Sequence, residues 1–164
     1  MVTFNALSVF KFNKFLEFIL EKRKSNPGNA LVDISILHDP GFLNLLILDD
    51  SQKCLIHESL QFMKDNSSRK IAEGFFDFEI AKMERLSEYA KTQISQAELL
   101  KRRIDFVSFV TEYDRRKNTQ FLKCFPELAD TFGIWQGLKM NEPVHHKIFK
   151  TASRLAHHQL PRLF

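Results

Sequence analysis

Alternating apolar and polar positions at the start of the chain predict a strand–helix–strand unit. Residues 2–9 alternate with the two-residue period of a strand. Residues 12–19 carry apolar side chains three and four positions apart, which is the spacing of one helix face, and a Pro-Gly pair ends that helix. Alternation returns over residues 31–37. Such a unit is the usual way to place two strands side by side in parallel.

The remaining pattern is mostly helical. The apolar run 43–48 predicts a third strand or an extended connector, and residues 51–66 predict a helix. Residues 67–117 contain no proline and a single glycine, so we expect two long helices with a break near residues 92–96. Trp135 lies between two glycines and is expected in a loop.

These patterns predict an α/β fold with a partial parallel sheet, half-barrel-like, followed by a mainly α-helical C-terminal region. We divide the chain into a βαβ half-barrel-like segment (1–66), long helices with an anchored loop (67–138) and a basic amphipathic tail helix (139–164, with its helix over 144–159). The first strand would present an unpaired apolar edge, which proteins rarely leave bare. We therefore expect an upstream half-barrel or a second copy of the chain to cover it.

Composition narrows the class of protein. The 164 residues suit one domain, and a hydrophobic fraction of 44% supplies a core. The net charge of +4 resides in the tail, where five basic residues face one acidic residue, and this does not favour nucleic-acid binding. Two distant cysteines and no apolar run near the roughly 20 residues of a membrane span predict a soluble, cytoplasmic protein.

No self-sufficient catalytic centre is recognisable. The chain has neither a glycine-rich phosphate loop nor a Gly-x-Ser-x-Gly turn. The tail carries histidine pairs at 145–146 and 157–158, but 11 residues of helix separate matched positions by roughly 16 Å. One zinc ion cannot bridge that distance, so no metal site is predicted within the helix; a site shared with another element stays open.

Three polar residues interrupt the predicted strands on the face opposite the main apolar stripe: Asn5, Asp33 and Ser35. Polar side chains that point into the lumen of a parallel barrel often contact ligands. The alternative is that this face is exposed to solvent in a small sheet.

A second cluster lies at the end of a predicted helix. Asp114 stands beside Arg115 and Arg116, and Thr119 and Glu127 follow. Guanidinium groups pair with carboxylates and also bind anions. The cluster is therefore either an ion-paired helix end that anchors a loop, or an anion or substrate contact.

This second cluster resembles the C-terminal signature of twitch-type radical SAM proteins. Lys117-Asn118 stands where that family usually has a glycine before the threonine. Residues 2–9 are similar to a barrel strand of the family, and residues 39–48 to its Pro-x-x-Leu segment, so the resemblance covers residues 2–132. In this chain the signature reads Asp114-Arg115-Arg116, Thr119, Phe121-Leu122 and Phe125-Pro126-Glu127.

The resemblance implies the C-terminal half of a partial TIM barrel, acting as scaffold and substrate wall for a missing cluster-binding half. S-adenosylmethionine and a [4Fe–4S] cluster are implied only for the complete family enzyme. Cys54 and Cys124 match none of the family's cluster cysteines, so no cofactor is expected to bind this chain alone. The alternative is a stand-alone homodimeric interaction module; nucleic-acid binding through the tail is less favoured.

Overall fold

The computed structural model describes residues 2–26 and 30–140, and the predicted tail helix and both histidine pairs lie outside them. Strand β1 (Val2–Phe4) pairs in parallel with β2 (Ile34–Ile36), and helix α1 (Phe12–Ser25) connects them. The predicted βαβ unit is thus confirmed. Within the described residues the sheet has two strands, and the fold is a mainly helical α/β architecture.

The first strand is shorter than the alternating pattern predicts. The side-chain oxygen of Asn5 accepts hydrogen bonds from the backbone N–H of Leu7 at 2.8 Å and of Ser8 at 3.2 Å. These bonds turn the chain into a 3-10 helix over Ser8–Lys11. The expectation of a strand to residue 9 is therefore wrong, because an Asn side chain satisfied the local backbone before the ladder could continue.

The apolar run after β2 is a connector and not a third strand. It forms two short 3-10 helices, Gly41–Leu43 and Leu45–Ile47. Asn44 caps the second by accepting the N–H of Leu46 at 2.9 Å. Residues 45–48 of this run are buried and Leu43 is half-buried, and none of them is a strand of the sheet.

The helix predicted over residues 51–66 and the break predicted near residues 92–96 are confirmed, but residues 67–76, expected in the first long helix, are not helical and form an isolated bridge between Ser67 and Phe75. Asp49 and Gln52 make a capping box at the first, and Ser95 caps the third at the predicted break. The bounds are α2 (Asp50–Asp65), α3 (Asp77–Ala90), α4 (Gln96–Lys117), α5 (Phe121–Cys124), a 3-10 helix (Pro126–Leu128) and α6 (Ala129–Met140).

Trp135 lies in α6, so its predicted placement in a loop is wrong. Gly133 and Gly137 both lie within this helix, and a Cβ atom added at either position would have no other atom within 4 Å. Trp135 is 2% exposed and packs edge-on against Phe106 at 5.6 Å between ring centroids. Burial of this large ring outweighs the low helix propensity of the two glycines.

One hydrophobic cluster joins the sheet to the helices. It runs from Phe4 in β1, which is fully buried, through α1, α2 and α3 to Phe106 in α4 and Trp135 in α6. The segments 1–66 and 67–138 therefore share a core. That shared core holds the sheet in a fixed position against the helices that surround it.

Candidate functional site

Helix α3 packs against β2 and binds the residues that lead into it. Glu79, in its first turn, accepts the backbone N–H of Val32 at 2.6 Å. One turn further on, Lys82 pairs with Asp33. Because the carbonyl of Asp33 bonds to β1, the N–H of Val32 points to the opposite side of the strand. The first part of α3 therefore lies along the edge that faces away from β1.

The outer edge of β1 is open. The N–H of Val2 donates to the carbonyl of Asp33, just before β2, and the carbonyl of Phe4 accepts the N–H of Leu37, just after it. In this parallel register, the N–H and C=O of the residue between them, Thr3, point away from β2. Thr3 is exposed. We call this outer side of β1, at Thr3, the open edge.

Thr3, Asp33 and Ser35 share one face of the sheet, opposite the buried Phe4 and Ile34. We call it the polar face. A hydrogen bond from Lys82 lowers the pKa of Asp33, although partial desolvation opposes the shift. Lys82, which the sequence pattern did not indicate, therefore favours the charged form of Asp33 and offsets its negative charge on the polar face.

The three predicted strand residues do not converge on one point. Asp33 lies at the amino end of β2, where it pairs with Lys82. Asn5 lies beyond the carboxyl end of β1, and its side-chain oxygen accepts two backbone hydrogen bonds within the turn. The hydroxyl of Ser35 donates to the carbonyl of Val2 at 3.5 Å. The structure thus places Asp33 and Ser35 on a common face, while Asn5 acts as a turn residue.

The ion pairs at the end of α4 differ from the expected ones. Glu112, and not Asp114, binds both guanidinium groups: Arg115 donates to its two oxygens at 2.8 Å each, and Arg116 donates at 2.5 Å. These bonds lower the pKa of Glu112 to about 2. The pairs link residues within one helix, and the remaining terminal nitrogens of Arg115 and Arg116 bond to none of the described residues.

Asp114 instead anchors the segment that follows α4. Its carboxylate accepts the hydroxyl of Thr119 at 2.7 Å and the backbone N–H of Phe121 at 2.8 Å. Between them, Asn118 has the left-handed conformation, with φ 52° and ψ 42°. The anchored Phe121 ring packs edge-on against Phe106 at 5.7 Å. The predicted anchored loop is present, with Asp114 as its main polar contact.

Glu127 connects this segment to the beginning of the chain. Its carboxylate forms an ion pair with Lys11, immediately before α1. The contact lowers the pKa of Glu127. The signature segment is thereby tied to the helix that follows β1.

A buried ion pair that sequence analysis missed joins three parts of the chain. Arg23 donates to Glu79 at 2.5 Å and to the carbonyls of Ala30 at 2.7 Å and Gly74 at 2.5 Å. Both charged side chains are fully buried, and the guanidinium lies 5.0 Å from the ring centroid of Phe75. The sequence contains a signal for this pair, since Arg23 continues the apolar stripe of α1 at helical spacing.

A polar group lies where β2 ends. The side chain of Asn44, which is 1% exposed, donates to the carbonyl of Leu37 at 2.7 Å and to the hydroxyl of Tyr89 at 2.8 Å. The ring of His38 meets that of Tyr89 edge-on at 5.2 Å. Carboxyl ends of parallel strands are where such sheets bind ligands.

The residues of this chain do not fit the iron–sulfur cluster that the resemblance implies. A cluster that keeps one iron open for a cofactor takes three thiolates. The sequence has two cysteines, Cys54 on α2 and Cys124 on α5, both exposed. Among the described residues no group of three or more His, Cys, Asp or Glu is placed to hold a metal ion.

No helix in the described ranges has both the length and the apolar character required to cross a membrane. No protein-family model, curated protein or solved structure matches the chain.

Proposed function

We propose that this chain is the non-catalytic C-terminal portion of a radical-SAM-like enzyme, in which it extends a parallel sheet and forms part of the wall around the substrate. The observation that carries the proposal is the open edge at Thr3, in a sheet whose other strand is held by α3 at the residues that lead into it. Parallel sheets are normally covered on both faces, and bare edges are avoided. A strand from another polypeptide would complete this one.

The conformation of Asn118 supports the resemblance behind this proposal. The family usually has a glycine before the threonine of the signature, and this chain has Lys117-Asn118 there. Asn118 adopts the left-handed conformation at the end of α4. Glycine adopts it at no steric cost, and asparagine adopts it more readily than most other residues. The departure from the family pattern therefore preserves the backbone conformation.

In this proposal β1 and β2 belong to a half-barrel, and the polar face lines its interior. Asp33 and Ser35 then contribute to the substrate wall, with Lys82 balancing the charge of Asp33. Asp114 anchors the segment after α4, and Arg115 and Arg116 pair with Glu112 at the end of that helix. S-adenosylmethionine and the [4Fe–4S] cluster belong to the front half, because that half carries the three cysteines.

Co-expression tests the proposal. The full chain is produced with an affinity tag beside an untagged front half of a twitch-type radical SAM protein that contains the Cys-x-x-x-Cys-x-x-Cys motif. We expect the two polypeptides to co-purify and the complex to bind iron and cleave S-adenosylmethionine. Absence of association would contradict the proposal.

Two variants of Thr3 sharpen this experiment. Thr3→Pro removes an N–H that makes no bond within the sheet, so it blocks an added strand while sparing the β1–β2 ladder. Thr3→Ala keeps the N–H and is the matched control. We expect Thr3→Ala to associate as the wild type does and Thr3→Pro to associate at least about tenfold more weakly. Equal association of the two variants would place the contact elsewhere.

A homodimeric interaction module is the second candidate. It is favoured by an aromatic stripe in which Phe42 contacts Phe109 at 5.0 Å and Phe109 contacts Tyr113 at 6.1 Å between ring centroids. Phe109 and Tyr113 are 40% and 50% exposed. Light scattering at high micromolar concentration tests this candidate, and a strict monomer would contradict it.

A further inference from the structure

The aromatic stripe of Phe42, Phe109 and Tyr113 is only partly covered by the described residues. Phe109 and Tyr113 are four positions apart on α4, so they lie on one face of that helix, and they are 40% and 50% exposed. Phe42 extends the row from the connector after β2, at 5.0 Å from Phe109 between ring centroids. Adjacent exposed aromatic rings form an apolar patch, and such a patch marks a contact with another segment or another molecule.

Helix α6 brings the end of the described chain to the amino-terminal part of α4. Phe132 lies beside Phe106, at 6.4 Å between ring centroids. Almost one turn later, the ring of Trp135 lies 5.6 Å from that of Phe106 and 5.1 Å from the guanidinium of Arg103. α6 therefore runs antiparallel to α4, and at its end, Met140, the chain leaves it beside the first turns of α4.

The tail that follows has the length and the pattern to lie along α4. The helix that the sequence predicts over residues 144–159 would be about 24 Å long, and α4 is about 21 Å long from Leu99 to Tyr113. At about 100° per residue, the apolar side chains of the predicted helix fall on one side, and its lysines and arginine fall on the other. The apolar side consists of Val144, Ile148, Phe149, Ala152, Leu155 and Ala156.

A second copy of the chain is a weaker occupant of the stripe. A large aromatic side chain has about 200 Å² of surface, so the exposed parts of Phe109 and Tyr113 together offer on the order of 200 Å². A stable interface between separate proteins takes about 800 Å² from each partner. A segment of the same chain needs less area, because its tether holds it near the surface at an effective concentration on the order of millimolar.

We propose that the tail of this chain, residues 141–164, covers the aromatic stripe by packing the apolar side of its predicted helix on Phe109 and Tyr113. The basic side of the tail then faces solvent. This contact does not depend on the radical-SAM-like function proposed above. It competes with the homodimer for the same rings, so the tail has to leave the stripe before a second copy can bind there.

Fluorine NMR of the full chain tests the contact. The chain has two tyrosines, Tyr89 and Tyr113, so 3-fluorotyrosine labelling gives two signals, and Tyr113→Phe assigns them. The shift of each signal between H2O and D2O measures the exposure of its ring to solvent. Leu155→Asp places a charge on the apolar side of the tail, and we expect it to increase the solvent isotope shift of Tyr113 toward that of free 3-fluorotyrosine. The Tyr89 signal, from α3, should stay in place and reports that the chain is folded.

His157→Asp is the matched control, because it adds the same side chain roughly 200° further around the predicted helix. We expect this variant to keep the wild-type isotope shift of Tyr113. The proposal is overturned if Leu155→Asp and His157→Asp give the same shift. It is also overturned if the wild-type Tyr113 shift increases on dilution while light scattering shows a dimer dissociating, since a second copy would then be the occupant.

Discussion

At the residue scale, the pair of Arg23 and Glu79 is the ion pair of the described residues in which both side chains are fully buried. Two fully buried charges are tolerable only if each is hydrogen-bonded throughout. Arg23 donates to three acceptors, and Glu79 also accepts the N–H of Val32 and, at 2.9 Å, that of Phe76. The pair thereby fixes the entry to β2 and the start of α3, and so it holds α3 beside β2.

Removing one partner of this pair should be costly. Arg23→Leu leaves the Glu79 carboxylate buried without its counter-charge, and we expect a loss of about 3–5 kcal/mol in the free energy of unfolding. Arg115→Leu, which breaks an exposed pair with Glu112, is the control and should change little. Denaturant unfolding of both variants provides the measurement. Similar stabilities for the two would show that burial does not determine the strength of the pair.

Single residues also limit what sequence can predict. The apolar positions of α1 were predictable because Leu16 and Ile19 repeat at helical spacing. The early end of β1 was not, because the outcome depends on whether Asn5 bonds to its own turn or the ladder continues. The partner choice of Glu112 was likewise not predictable, since Asp114 carries the same charge two residues away.

At the element scale, the end of α4 illustrates how one conformation positions a whole segment. Asn118 reverses the chain, and Asp114 then receives Thr119 and Phe121. The aromatic residues that follow reach the core from there. The sequence pattern predicts an anchored loop here, but only the structure shows that Asp114 is the carboxylate that anchors it.

Substitutions at Asn118 test this element. A side chain other than that of glycine or asparagine is strained in the left-handed region. We expect Asn118→Gly to be more stable than Asn118→Ala by about 1 kcal/mol. Thermal or denaturant unfolding measures the difference. An alanine variant as stable as the glycine variant would contradict the assigned conformation.

Element boundaries were less predictable where burial competes with local preference. Trp135 lies between two glycines, which indicates a loop by propensity, yet α6 continues through it. Burial of the Trp135 ring against Phe106 stabilises the helix by more than the two glycines destabilise it. This outcome depends on how α4 and α6 pack against each other, and the sequence pattern does not predict that packing.

At the scale of the whole molecule, the sheet is asymmetric. α3 holds the residues that lead into β2 through Glu79 and Lys82, and on the other side of the sheet the backbone of Thr3 is open. The proposed strand addition depends on this asymmetry, since the open edge admits a new strand. The sequence pattern predicts an uncovered edge on the first strand, but it does not indicate that helix α3 packs beside the second strand.

Hydrogen exchange at the backbone amide of Thr3 tests the open edge most directly. In the dilute, isolated chain we expect this amide to exchange rapidly, while the amide of Phe4, which belongs to the β1–β2 ladder, exchanges slowly. Adding the front half should slow exchange at Thr3 and leave Phe4 unchanged. A Thr3 amide that is already protected in the dilute chain, or one that stays unprotected in the complex, would contradict strand addition at this edge.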